Sequence, residues 1–236
     1  MKTVNQVMTA LKKMGTAQTR KTFERHGAPA NLYGVKVGDL KVIAKQIKGN
    51  HSLACELYET GNVDAMYLAG IVANGTQMTK KQLTDWAKNA SWYMIAEYTV
   101  PGLAVESPFG RELALKWIKS KNESIASSGW NTYAGVVATT PDDELDMKEI
   151  QGLLKQIGSD INKVPGRVRY TMNGFVIAVG GYVKPLSKKA RATATKIGKV
   201  EVDMGDTACK VPLAMEYIEK MEASGRAFKK RKTIKC

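Results

Sequence analysis

The sequence predicts an all-α protein built as a curved superhelical array of antiparallel helical hairpins, an α-α superhelix. Three observations predict it. Apolar residues recur at helical spacing along most of the chain, and helix caps and glycine stops follow at short intervals. Strand-like alternation survives only in fragments such as Val200-Glu201-Val202-Asp203, too short to build a sheet. Helices joined by short turns stack as hairpins, and a stack of hairpins curves to leave a concave face. A compact irregular helical domain fits the same pattern, since no repeat is visible by inspection.

The elements can be taken in order. Val4, Val7, Met8 and Leu11 make one stripe of a helix near 3–14, and a second helix is expected near 17–25. Leu40, Ile43, Ala44 and Ile47 repeat the pattern near 37–48, with further helices near 52–60 and 63–74. Gly15, Gly27, Gly49, Gly61 and Gly75 punctuate this third of the chain. Thr79 and Gln82 have capping-box spacing ahead of a helix near 80–89, and another is expected near 92–105. Ser107-Pro108 opens a helix near 108–119 with Leu113, Ala114, Trp117 and Ile118 on one side. Helices near 122–139 and 145–160 follow, flanking Thr140-Pro141, the latter striped by Ile150, Leu153, Leu154 and Ile157. The series closes near 166–183, 186–198 and 210–224. No Pro/Ser-rich linker divides the chain, so residues 1–225 are expected as one helical domain and 226–236 as a basic flexible tail.

The 236 residues carry 36 Lys+Arg against 22 Asp+Glu, a net charge of +14, with 44% hydrophobic residues. That composition excludes a disordered chain, a collagen-like chain and a disulfide scaffold. The charge is uneven: +8 over residues 1–50, −5 over 51–150, +9 over 151–200 and +2 over 201–236. Two basic regions point to a polyanionic partner if they face one ligand, and to separate solvated faces if they do not. Cys55, Cys209 and Cys236 lie far apart without metal-ligand spacing, which argues for a reducing compartment. The first residues lack the apolar core of a signal peptide, and no run approaches the length of a membrane span. A cytoplasmic protein without a membrane partner is expected.

Several segments resemble the DNA alkylation repair family, the AlkD type of HEAT-like-repeat protein. They are Arg20, Arg25-His26-Gly27-Ala28, Tyr33-Gly34-Val35, and Leu57-Tyr58-Glu59-Thr60-Gly61-Asn62. Trp86, Ser91-Trp92-Tyr93, Trp117-Ile118 and Arg167-Val168-Arg169-Tyr170 continue the series. Ile197-Gly198-Lys199-Val200-Glu201-Val202-Asp203 and Cys209-Lys210-Val211-Pro212 look like a subgroup of that family. The resemblance covers residues 5–222. It implies a HEAT-like-repeat superhelix whose basic concave cleft cradles double-stranded DNA. It also implies hydrolysis of the glycosidic bond of cationic N3- or N7-alkylpurines by a carboxylate and aromatic faces, with no cofactor. On the matching positions Glu97 is the carboxylate, and Tyr93, Trp92 and Phe175 are the aromatics.

The same positions depart from the active pattern. The resemblance implies a tryptophan at Tyr93, an aspartate at Glu97, and arginines where this chain has Ser127 and Ala178. Glutamate moves the charge by about 1.5 Å, a displacement on the order of one that costs 100-fold in rate. Neither Ser127 nor Ala178 can neutralise a phosphate. Weak or absent excision is therefore expected, with DNA binding retained because duplex affinity is spread over many charges. Lys163, Arg167 and Arg169, at the start of an apolar helix, are the expected phosphate contacts. A helical scaffold for an acidic protein partner accounts for the same composition.

Other chemistries are less well supported. Cys55 follows His51 at i+4, but no third group completes a metal site or a nucleophile. Asp203, Asp206 and Cys209 read as a capped turn. Gly174, Gly180 and Gly181 lie in a helical run rather than after a strand, so no nucleotide fingerprint is present.

Overall fold

A computed structural model describes residues 1–235, leaving Cys236 outside. Among the described residues there is no strand, and no helix is long and apolar enough to cross a membrane. The chain divides into two compact units. Unit 1 holds residues 1–109, 204–208 and 235, and unit 2 holds residues 110–203 and 209–234.

Unit 1 begins with α1 (Val4–Met14), α2 (Ala17–Arg25) and α3 (Val37–Gln46). Thr3 and Thr16 cap the first two, each side chain accepting the N–H three residues on. The irregular stretch before α3 is fastened from both sides. Arg20 donates to the carbonyls of Ala30 and Leu32, while the buried Asp64 carboxylate accepts the N–H groups of Tyr33, Gly34 and Val35. α4 (His51–Glu59) and α5 (Val63–Val72) form the central hairpin, and α6 (Lys80–Asn89) follows with the full Thr79–Gln82 capping box. Leu11, Leu40, Ile43, Leu57, Leu68, Leu83 and Ile95 fill the core.

The helix expected near 92–105 is broken in type. Ile95–Thr99 is a π turn, in which Val100 N–H bonds to Ile95 O, and α7 (Val100–Glu106) continues from it. Pro101 supplies the cause: it has no N–H for the Glu97 carbonyl one α-turn back, so the ladder widens there. The turn is also held tightly. A Cβ at Gly70 would lie 2.6 Å from Thr99 Cγ2, so only glycine lets α5 approach this closely.

Unit 2 comprises α8 (Gly110–Ile118), α9 (Glu123–Thr139), α10 (Met147–Asp160), α11 (Gly166–Tyr182), α12 (Ser187–Ile197) and α13 (Ala214–Ala223). α9 and α11 pack along each other at its centre. The two prolines expected to open helices do so less directly. Ser107 instead closes α7, and Pro141 precedes a 3-10 turn, leaving Asp146 to cap α10. Trp130 and Tyr133 of α9 enclose Phe175 of α11, with ring centroids 5.5 and 5.6 Å apart.

Residues 226–235 differ from the flexible tail expected. Phe228 N–H donates to Gly181 O at 2.7 Å, and Arg231 N–H to Ala138 O at 2.8 Å. Lys230 Nζ bonds Val137 O at 2.8 Å and pairs with Asp142 at 2.8 Å. In unit 1, Lys235 Nζ bonds Ala73 O at 2.7 Å and Glu106 at 2.6 Å. Val137, Ala138 and Ala73 end α9 and α5, where carbonyls lack intrahelical donors and the dipole favours a cation. Lys230 and Lys235 therefore serve as helix caps.

Candidate nucleic-acid interface

The aromatic–carboxylate cluster lies in unit 1. Trp92 precedes the π turn, its ring 5.2 Å from that of Phe23 and 5.1 Å from that of Tyr93. Its indole N–H donates to His26 O at 2.8 Å, supplying a donor at the C-terminus of α2. Trp92 is thus a buried residue joining two helices.

Glu97 is buried as well, only 2% exposed, between Ile95, Ala96 and Thr99 in the π turn. In an α-helix its i+4 spacing from Tyr93 would set the two on one face. In the structure Tyr93 is half-buried and Glu97 buried. The outward residues of this segment are Tyr93, Met94 and Tyr98, the last 43% exposed.

Phe175, the fourth expected aromatic, lies elsewhere. It is wholly buried between Trp130 and Tyr133 in unit 2, so it offers no face to a ligand. Ser127 and Ala178, where the resemblance implies cations, are buried in the same unit, and Ser127 Oγ has no hydrogen-bond partner.

The expected phosphate contacts of unit 2 are engaged. Lys163 pairs with Asp160 at 2.9 Å. Arg167 lies over the Tyr170 ring at 4.5 Å, while its backbone N–H bonds Glu123. Arg169 donates to Val164 O at 2.8 Å and to Glu201 O at 3.3 Å, which makes it a cap for its own loop. Arg111 is likewise spent on Glu149 and Asp146, with the Tyr133 hydroxyl donating to the same Glu149. Burial, then the adjacent Glu149, push the Tyr133 phenol up, so it stays a donor.

The first fifty residues behave differently. Lys12, Lys13, Lys21, Arg25, Lys36, Lys41, Lys45 and Lys48 are all exposed, and none is ion-paired among the described residues. Sequence reading marked this region as basic without naming these side chains. Helix spacing was the available signal, because Lys21 and Arg25 are i, i+4 on α2 and Lys41 and Lys45 are i, i+4 on α3.

Two further sites are unsuited to phosphate. A cleft of about 410 Å³ beside the stacked Tyr58 and Trp86 rings is lined by Glu59 and Asp85, whose charge repels phosphate. Cys55 Sγ lies 3.6 Å from His51 Nε2, while His51 Nδ1 accepts Asn74 N–H. Burial first, then Glu59 and Glu56, push the thiol up, which opposes a nucleophilic thiolate.

A solved structure described as "A new family of proteins related to the HEAT-like repeat DNA glycosylases with affinity for branched DNA structures" matches with a TM-score of 0.90. Sequence identity to it is 35%, covering 99% of this chain and 100% of that one. Uncharacterized proteins Lin0241 of Listeria innocua and Lmo0209 of Listeria monocytogenes are each 35% identical over 224 residues, covering 92% of this chain and 96% of theirs. The family model for "DNA alkylation repair enzyme" matches residues 7–193, most of the helical series, and the chain belongs to that family.

Proposed function

We propose that this chain binds DNA through its backbone phosphates, prefers branched DNA, and excises alkylated bases weakly or not at all. The binding reading rests on the exposed, unpaired cations of the first fifty residues, Lys12, Lys13, Lys21, Arg25, Lys36, Lys41, Lys45 and Lys48 among them, since phosphate contacts supply most sequence-independent affinity. The preference for branches is carried over from the related solved structure, to which the likeness runs the full length. The doubt about excision rests on Glu97. A carboxylate stabilises a developing cation only when it stands beside it, and this one is enclosed.

Two measurements test the proposal. Fluorescence anisotropy with a four-way junction and a duplex of the same arm sequence should give tighter junction binding and a steep fall of both with salt. No DNA binding at low salt, together with capture of an acidic protein, would support the scaffold reading instead. A single-turnover base-release assay on a duplex carrying one N7-alkylguanine should show release close to the uncatalysed rate. Efficient release would show that the enclosed carboxylate becomes accessible on binding.

A further inference from the structure

Branched and fully paired DNA share one backbone chemistry, so a phosphate contact by itself does not mark a branch point. What differs is the base stack: at a branch point a terminal base can lose its neighbour on one face. An exposed aromatic ring on a fixed element can take that neighbour's place.

Among the described residues the large exposed hydrophobics are Val42, Tyr98 and Tyr217. Val42 is aliphatic. Tyr217 stands on α13 between Glu216 and Glu219, in a setting that repels phosphate. Tyr98 remains. It is the exposed residue of the π turn, whose other members Ile95, Ala96, Glu97 and Thr99 are buried. The turn is fixed by Thr99 against Gly70 and by Pro101, so Tyr98, 43% exposed, stands on a rigid base. Phosphate-binding charge is attached to the same segment. The Trp92–His26 hydrogen bond fastens the C-terminus of α2, with exposed Lys21 and Arg25, to the residues just before the turn.

We propose that Tyr98 is the residue that discriminates branched from paired DNA, by stacking its ring on a base left without a neighbour at the branch point. This assignment rests on the branched-DNA reading above. It predicts a contribution from the ring, not from the hydroxyl.

The test compares junction and duplex binding by the full chain, with 2-aminopurine placed at the branch point as a stacking probe. Tyr98→Ala and Tyr98→Leu should each lose about tenfold in junction affinity, with duplex affinity held within about twofold. Tyr98→Phe should keep the junction preference and the 2-aminopurine response. Leucine keeps bulk at the position, so it still reports should the alanine variant fold poorly. Retention of the preference in Tyr98→Leu, or its loss in Tyr98→Phe, overturns the assignment alone. A native chain that binds junction and duplex equally overturns the branched-DNA reading as well.

Discussion

Residues 1–50 and 151–200 carry net charges of +8 and +9, yet the two regions use them differently. In the first, nine of the ten cations are exposed, and among the described residues only Arg20 forms an ion pair, with Glu24. In the second, six of the ten are engaged: Lys163, Arg169, Arg191 and Lys199 by carboxylates or carbonyls, Lys189 by Gln151, and Arg167 over a tyrosine ring, while Lys155, Lys184, Lys188 and Lys196 are exposed. Equal charge therefore does not mean equal capacity for phosphate. A cation bound to an internal carbonyl must leave an unsatisfied acceptor behind before it can serve a ligand.

The largest expected effect would break this comparison directly. Replacing Lys21, Arg25, Lys41 and Lys45 together by alanine should flatten the salt slope of DNA binding by about three to four units. Affinity near 0.1 M salt should fall on the order of a hundred- to a thousandfold. The paired change Arg167→Ala and Arg169→Ala should move that slope by less than about one unit. If the pair flattens the slope as much as the quadruple change, the contrast between the two regions is wrong.

Truncation after residue 225 comes next. It removes six cations in sequence terms, but Lys230 and Lys235 are committed to helix ends. Losing their charged hydrogen bonds should lower unfolding stability by about 3 kcal/mol, read from the urea midpoint, with a DNA-affinity loss well below that of the quadruple variant. Unchanged stability with abolished binding would return this segment to the role of a loose phosphate tether.

The smallest effect concerns pH and belongs to unit 1 alone, which holds both histidines. Burial first, and Lys235 second, hold the His51 imidazole below its ordinary value. The unfolded chain therefore binds the proton more readily, and stability falls as pH drops through about 6.5. His51→Gln should flatten the unfolding midpoint between about pH 7 and pH 5, and an unaltered pH profile would show that another group carries the dependence.

Much of the helical series was legible, because stripes such as Ile150, Leu153, Leu154 and Ile157 and caps such as Thr79 with Gln82 report local physics. The candidate site was less so. Phe175 looks the same in sequence whether it packs inside or meets a sugar, and its burial is decided by Trp130 and Tyr133, more than forty residues away. Glu97 reads in sequence as an α-helical neighbour of Tyr93, while in the structure it is a buried member of a π turn. Pro101, four residues on, was the signal that could have exposed it. Whether a lysine is available depends on which carbonyls surround it, as Lys230 and Lys235 show, and no charge count contains that information.

The π turn also acts as a phase shift. One surplus residue turns everything beyond it by about 100° relative to an unbroken α-helix. The same helix can thereby fit Thr99 against α5 while α7 meets α6 and the 3-10 turn at Gly75–Gln77. The Glu106 carboxylate, which accepts Gly75 N–H at 3.2 Å, is in register only because of that shift. Deleting one residue from the turn would leave a more regular helix with its downstream half out of frame. The irregularity is what lets one helix serve two sets of neighbours.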